Sequence, residues 1–240
     1  YGNHKFGNEW RPNSGFQSTQ GHISISKKLS QKSTLGIEFT KMYYLAQQPG
    51  GLTDNLFNTN PDTSVRERNW FRVNWNLAAL NFNHVFSSNA SLSSKTFGLI
   101  ASRESLGYLD QINRTDPIYL DPEQAGRNLI SGMFQNIGNE TRFIQKYRAF
   151  DQTWAFVSGI RVYKGYSENR QGSANKDYGP DFDFVGLDGS ATNSNVNTDY
   201  QFPSFNLALF GEHIFNLSSK LSITPGIRYE YISTNATGSY

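Results

Sequence analysis

The sequence predicts an all-β protein: antiparallel up-and-down strands forming an eight-strand slice of a transmembrane barrel. Three observations predict it. Apolar and polar residues alternate with period two over long segments, several beyond ten residues. Soluble strands usually run to about five or six. Short and long connections then alternate along the chain without exception. Finally, aromatics make up 15% of the 240 residues, whereas no apolar run approaches the eighteen or so that a membrane helix needs.

Taken in order, the eight segments are Phe16–Leu29, Thr34–Leu45, Trp70–Phe86, Ala90–Leu106, Arg142–Phe150, Thr153–Glu168, Ser204–Leu217 and Leu221–Ile232. In the second, Leu35, Ile37, Phe39, Tyr43 and Leu45 share one face, and Gly36, Glu38 and Thr40 share the other. This is the pattern of a strand with one apolar side. Lys41 falls on the apolar face and is placed toward the outer rim, where such a charge costs little. In the third, Phe71, Val73, Trp75 and Leu77 face lipid and Arg72, Asn74 and Asn76 face inward. The parity shifts near Ala78–Ala79, which reads as a β-bulge or as a misjudged strand. The fourth has no clean face. In the last, Ile223, Ile227 and Tyr229 oppose Arg228 and Glu230.

Four connections are tight. Three are long loops, at about 46–69, 107–141 and 169–203. In an up-and-down barrel this places every tight turn at one end, as in outer-membrane barrels with short periplasmic turns and long extracellular loops. Trp70, Tyr43 and Tyr44 near the loops and Trp154 and Phe215 near the turns suit two aromatic girdles.

Composition excludes several functions. There is no Cys, so Cys-ligated metals and disulfide scaffolds are absent. Lys+Arg total 22 against 20 Asp+Glu, with no block of like charge, and no nucleic-acid partner is expected. His4, His22, His84 and His213 lack ligand-like spacing, and no nucleophile elbow or phosphate loop occurs. Asp181, Asp183 and Asp188 miss the calcium-loop spacing. No catalytic residue, metal site or cofactor is expected, and the chain does not read as an enzyme.

Particular segments resemble a known family. They are Y-L-A-Q-Q-P-G-G-L-T-D at Tyr44–Asp54, R-E-R-N-W-F at Arg66–Phe71, K-T-F-G-L-I-A-S-R-E-S-L-G-Y at Lys95–Tyr108, and the P-G-I-R-Y-E ending at Glu230. Over roughly Phe16 to Tyr231 the chain resembles the barrel domain of TonB-dependent outer-membrane receptors, most nearly the ferric dicitrate branch. The resemblance implies a barrel of about 22 strands around an N-terminal plug. On that basis residues 1–240 are a partial barrel domain without the plug. It also implies a place in the outer membrane of a Gram-negative bacterium, surrounded by lipid. The implied function is import of a citrate-like ferric chelate with energy from the TonB complex, delivered through the missing plug. The alternative is a soluble or surface β-rich module that binds carbohydrate, as an adhesin would.

An iron–citrate complex is rich in carboxylates, which arginine binds with a planar fork. Arg68 and Arg142, placed at the bases of two long loops, match the branch's ligand-binding arginines. Arg66, Arg72, Arg103 and Arg127 are further candidates; the other expectation for all six is pairing with carboxylates of the plug or neighbouring strands. One departure stands out: Thr53–Asp54 occupies a place where the branch offers a basic residue. Segment 107–141 is also acidic, with Asp110, Asp116, Asp121, Glu123 and Glu140 against Arg114 and Arg127.

Overall fold

The computed structural model describes residues 1–7, 10–186, 189–191 and 195–240. The strands are β1 (Gly2–Gly7), β2 (Phe16–Lys28), β3 (Ser33–Gln47), β4 (Trp70–Ser87), β5 (Ala90–Gly107), β6 (Arg127–Ala149), β7 (Gln152–Ala174), β8 (Val196–Ser218), β9 (Leu221–Ile223), β10 (Gly226–Thr234) and β11 (Thr237–Ser239). They form one sheet in the order β1-β2-β3-β4-β5-β6-β7-β8-β10, with β9 and β11 also pairing with β8. Every described pairing is antiparallel. The sheet is open, with β1 and β10 at its edges.

The alternating segments become strands where expected, and four differences stand out. The final segment breaks at Thr224–Pro225 into β9 and β10, because proline has no N–H to give a ladder. β1 adds a strand on the Phe16 side of β2. β6 begins at Arg127, well before Arg142, and the loop below it shrinks to 108–126. Its upper half carries Gly132, Gly138, Asn128, Asn136 and Asn139, residues disfavoured in isolated strands. Continuous ladders to β5 and β7 hold it extended.

The fourth difference concerns Ala78–Ala79. Pairing runs unbroken through Phe39–Ala78 and Glu38–Ala79, so no bulge lies there. The register shift of β4 against β5 falls between Val85 and Ser87 instead. The polar row nevertheless changes parity in both strands together. Above the crossing, Lys41 Nζ donates to Asn74 Oδ1 (2.5 Å) and Asn76 Oδ1 (2.8 Å). Below it, Asn81 Nδ2 donates to Glu38 Oε1 (2.9 Å). A shift shared by both partners leaves their register intact. Lys41 finds two amide partners there.

Among the described residues no second sheet covers this one. Ile23, Ile25, Ile37, Phe39, Leu80, Ile160, Val162 and Leu209 stay exposed, as suits a face that meets lipid. The buried apolar cluster of Leu106, Leu129, Ala174 and Phe182, with Leu45, Trp70 and Phe184 against it, lies at the loop end. There segment 175–186 folds onto the tops of β4–β7. At the opposite end Trp154 packs edge-on to Phe215 (5.0 Å) and Tyr147 (6.0 Å), and the Tyr147 hydroxyl meets His213 Nε2 at 2.7 Å.

Candidate functional site

The three long loops, 48–69, 108–126 and 175–195, are tied together by arginine. Arg68 is 0% exposed. Its Nε and Nη2 donate to the two Asp116 carboxylate oxygens at 3.0 and 2.5 Å, and its Nη1 donates to Ala125 O (2.7 Å) and Lys176 O (3.2 Å). One guanidinium therefore reaches partners in both other loops. Buried donors must find acceptors, and a planar fork facing a carboxylate fixes both position and direction.

Arg66 and Arg127 act similarly. Arg66 donates to the carbonyls of Tyr108, Val65, Arg114, Asp110 and Gln111 and lies 4.9 Å over the Tyr108 ring. Arg127 donates to Asn175 O (3.1 Å), Gly179 O (2.6 Å) and Asn175 Oδ1. Gly107 closes the top of β5 at φ +143, where a Cβ would sit 2.1 Å from Asn69 Oδ1. That amide in turn brackets Tyr108, accepting from its N–H (2.8 Å) and donating to its carbonyl (3.1 Å). A six-residue helix, Asp54–Thr59 (α1), is capped by the Thr53 hydroxyl; this is the structural place of the Thr53–Asp54 departure.

The other three candidate arginines stand apart. Arg72 makes a two-pronged pair with Glu104 (2.6 and 2.8 Å) and lies 4.1 Å over the Phe182 ring. Arg103 is exposed, opposite Val73 and Gly132, and makes no hydrogen bond or ion pair among the described residues. Arg142 lies deep inside β6, nearer the Phe150–Asp151 turn than any loop, and not at a loop base as the spacing suggests. It pairs with Glu140 (2.5 Å), which also meets Arg161 at 3.5 Å.

Arg142 belongs to a charged wall that runs across the sheet: Glu38–Lys95 (3.9 Å), Glu140–Arg142–Arg161 and Arg228–Glu230 (2.8 Å). Aromatic plates support it. Phe210 lies against Gly159, where a Cβ would meet the ring at 2.2 Å, and Phe97 lies against Gly138, where it would meet the ring at 2.6 Å. Arg142 and Arg228 sit over Phe210 at 5.8 and 5.7 Å, and Arg161 sits over Phe97 at 5.9 Å. Glycine inside a strand marks such a close approach.

Among the described residues most carboxylates without an ion-pair partner lie in the loops. Lys176 at 2.6 Å holds Glu123 below the usual carboxylate range. A hydrogen bond to Asp181, then burial, raises Asp183. Burial and a hydrogen bond to Glu67 raise Tyr119. Among the described residues no group of three or more acidic or histidine side chains could hold a metal; Asp188 lies outside them. Sequence reasoning missed Asp116, Glu104, Asn69 and the two glycine–phenylalanine plates. Their roles arise from partners far away in sequence, and no local spacing announces them.

The TonB dependent receptor-like β-barrel family model matches residues 8–240. Among solved structures, the chain is similar to the ferric citrate transporter FecA in its unliganded form, with a TM-score of 0.79 at 15% identity over 98% of this chain and 32% of that one. It is also similar to FpvA of P. aeruginosa bound to a heterologous pyoverdine with iron (TM-score 0.73, 11% identity, 99% and 33% covered). The ferric-catecholate import receptor Fiu from E. coli K12, in its open form, gives a TM-score of 0.68 at 13% identity, with 95% and 39% covered. This chain thus spans about a third of the length of these structures, and at such identities the likeness concerns the fold. With the family model matching nearly every residue, the chain belongs to the TonB dependent receptor-like β-barrel family, a family of Gram-negative outer-membrane transport receptors and not of enzymes.

Proposed function

We propose that residues 1–240 form part of the barrel wall of a receptor that takes up a ferric chelate. Energy comes from the TonB complex through a plug domain, and lipid surrounds the apolar face. The observation that carries this reading is the sorting of the sheet: all long loops at one end, all tight turns at the other, with a charged wall beneath the loops. The work is binding followed by conformational change, with no covalent chemistry.

The finer reading is a citrate-like ligand, supported by the resemblance to the dicitrate branch. The six arginines divide under it. Arg66, Arg68 and Arg127 hold the loops in shape, and their donors are already engaged. Contact with a carboxylate-rich ligand then falls to the more exposed Arg103, Arg142 and Arg72, of which Arg142 and Arg72 would have to share their forks with Glu140 and Glu104. The free loop carboxylates and Asp54 favour a second reading, a neutral or cationic chelate. Equilibrium binding of ferric citrate to the full-length receptor decides between them. Under the citrate reading, binding is micromolar or tighter, and Arg103→Ala or Arg142→Ala weakens it by roughly ten- to a hundred-fold, the loss of one charge-assisted hydrogen bond. Absence of micromolar binding to the wild type favours the second reading.

A further inference from the structure

The turn end carries an unbalanced charge. Its four connections are residues 29–32, 88–89, 150–151 and 219–220. In or within four residues of them lie Lys27, Lys28, Lys32, Lys146, Arg148 and Lys220, against Asp151 as the single carboxylate. All six cations are exposed, and among the described residues none has a carboxylate partner. Among the described residues Lys32 is the one of the six whose side chain donates a hydrogen bond, to Phe86 O at 3.1 Å. Lys27 follows Ile23 and Ile25 in the period of β2, on the row of exposed apolar side chains.

A second feature sits at the same rim. Phe150 and Asp151 form the β6–β7 turn with φ of 49° and 58°. A bulky residue in this region is strained, and the two-residue turn favours Asn-Gly. Phe150 gains little protein packing in return, since it is 87% exposed. Its neighbours are Trp154 at 5.6 Å on one side and Arg148 in the chain on the other. An exposed aromatic tip beside cations, next to an aromatic girdle, has the composition of a surface that sits at the boundary between lipid and water.

We propose that this rim binds the anionic phospholipid headgroups of the periplasmic leaflet. Lys27, Lys28, Lys146, Arg148 and Lys220 supply the charge, and Phe150 inserts beside Trp154. Unpaired cations near an anionic membrane surface are each attracted to it, and salt screens the effect within a Debye length. The inference rests on the outer-membrane placement and is independent of which chelate the receptor carries.

The test uses the full-length receptor in vesicles of phosphatidylethanolamine with phosphatidylglycerol, released into mild detergent, with retained lipids counted by native mass spectrometry. Wild type should retain phosphatidylglycerol in preference to phosphatidylethanolamine. Each neutralised cation should lower that preference by up to about five-fold. The variant Lys27→Gln/Lys28→Gln/Lys146→Gln/Arg148→Gln/Lys220→Gln should lose it, while the loop-end control Arg114→Gln should keep it. A charge-keeping variant, Lys27→Arg/Lys28→Arg/Lys146→Arg/Lys220→Arg, should also keep it. Heat-modifiable migration on gels reports that each variant is a folded barrel. The proposal is overturned if wild type shows no preference, if the neutralised variant keeps it, if the Arg variant loses it while folded, or if inorganic phosphate displaces the lipid as readily as phosphatidylglycerol does.

Discussion

The two ends of the sheet treat positive charge in opposite ways. At the loop end, Arg66, Arg68 and Arg127 are buried, and their donors go to Asp116 and to carbonyls of neighbouring loops. At the turn end, Lys27, Lys28, Lys146, Arg148 and Lys220 are exposed and unpaired. The difference shows that an arginine's place in a sequence says little about what it can bind. Its partners decide. A cation enclosed by its own loops is a structural strut, whereas one left over at a rim is available to a second molecule. The wall between the two ends is intermediate, with pairs such as Arg142–Glu140 that are half exposed.

The largest effect that would sharpen this contrast is expected at Asp116. Asp116→Ala leaves Arg68 buried without its counter-ion, and breaking such a pair costs about 3–5 kcal/mol. Hydrogen exchange should rise across 108–126 and 175–186 while the strands keep their protection. If the loops stay protected, the Arg68 knot is not what orders them. Next comes Gly159→Ala in the wall. Its Cβ would meet the Phe210 ring at 2.2 Å, and overpacking of this kind costs about 1–3 kcal/mol, read as a lower urea midpoint of the refolded receptor.

Arg142→Ala should change the stability read from that midpoint by less than about 1 kcal/mol, because its pair is half exposed. A loss as large as that of Asp116→Ala would erase the distinction between wall and loop base. At the turn, Asp151→Gly relieves a left-handed residue and should stabilise the β6–β7 hairpin by about 0.5–1 kcal/mol. The smallest effect is one of pH. Asp183 is raised, chiefly by its hydrogen bond with Asp181. A carboxyl raised in the folded state adds stability below its ordinary range, and that contribution is lost as pH climbs through the raised value. Protease cleavage within 175–186 should therefore increase slightly as pH climbs from the ordinary carboxylate range through the raised value, and Asp183→Asn should flatten the change.

Much of this fold is legible in the sequence because each strand of a membrane barrel has one apolar face. β2, β3, β4 and β7 carry that signal in their own residues. The upper half of β6 does not, since its pattern depends on neighbours. Gly138 is there because Phe97 of β5 lies across it, and a residue chosen for its neighbour's shape weakens the local strand signal. The parity change near Ala78 is visible, but its sharing with β3, which keeps the register, appears only when the ladders are seen together. The arginines show the same limit. Their number and rough height can be read, yet Asp116 and Glu104 lie 48 and 32 residues from Arg68 and Arg72, and nothing in the spacing pairs them. Family membership also removes the soluble carbohydrate-binding alternative that composition alone permits.

The sheet is expected to span the outer membrane with its long loops outside and its tight turns in the periplasm. The chain has no cysteine, so single cysteines report position cleanly if any others in the full-length receptor are first replaced. Ile112→Cys lies in an exposed part of the 108–126 loop, and Ser88→Cys lies at the exposed β4–β5 turn. A membrane-impermeant maleimide applied to intact cells should label Ile112→Cys at once, and Ser88→Cys only after the outer membrane is permeabilised. Labelling of Ser88→Cys in intact cells with Ile112→Cys protected would mean that the sheet lies the other way round, with its turns outside.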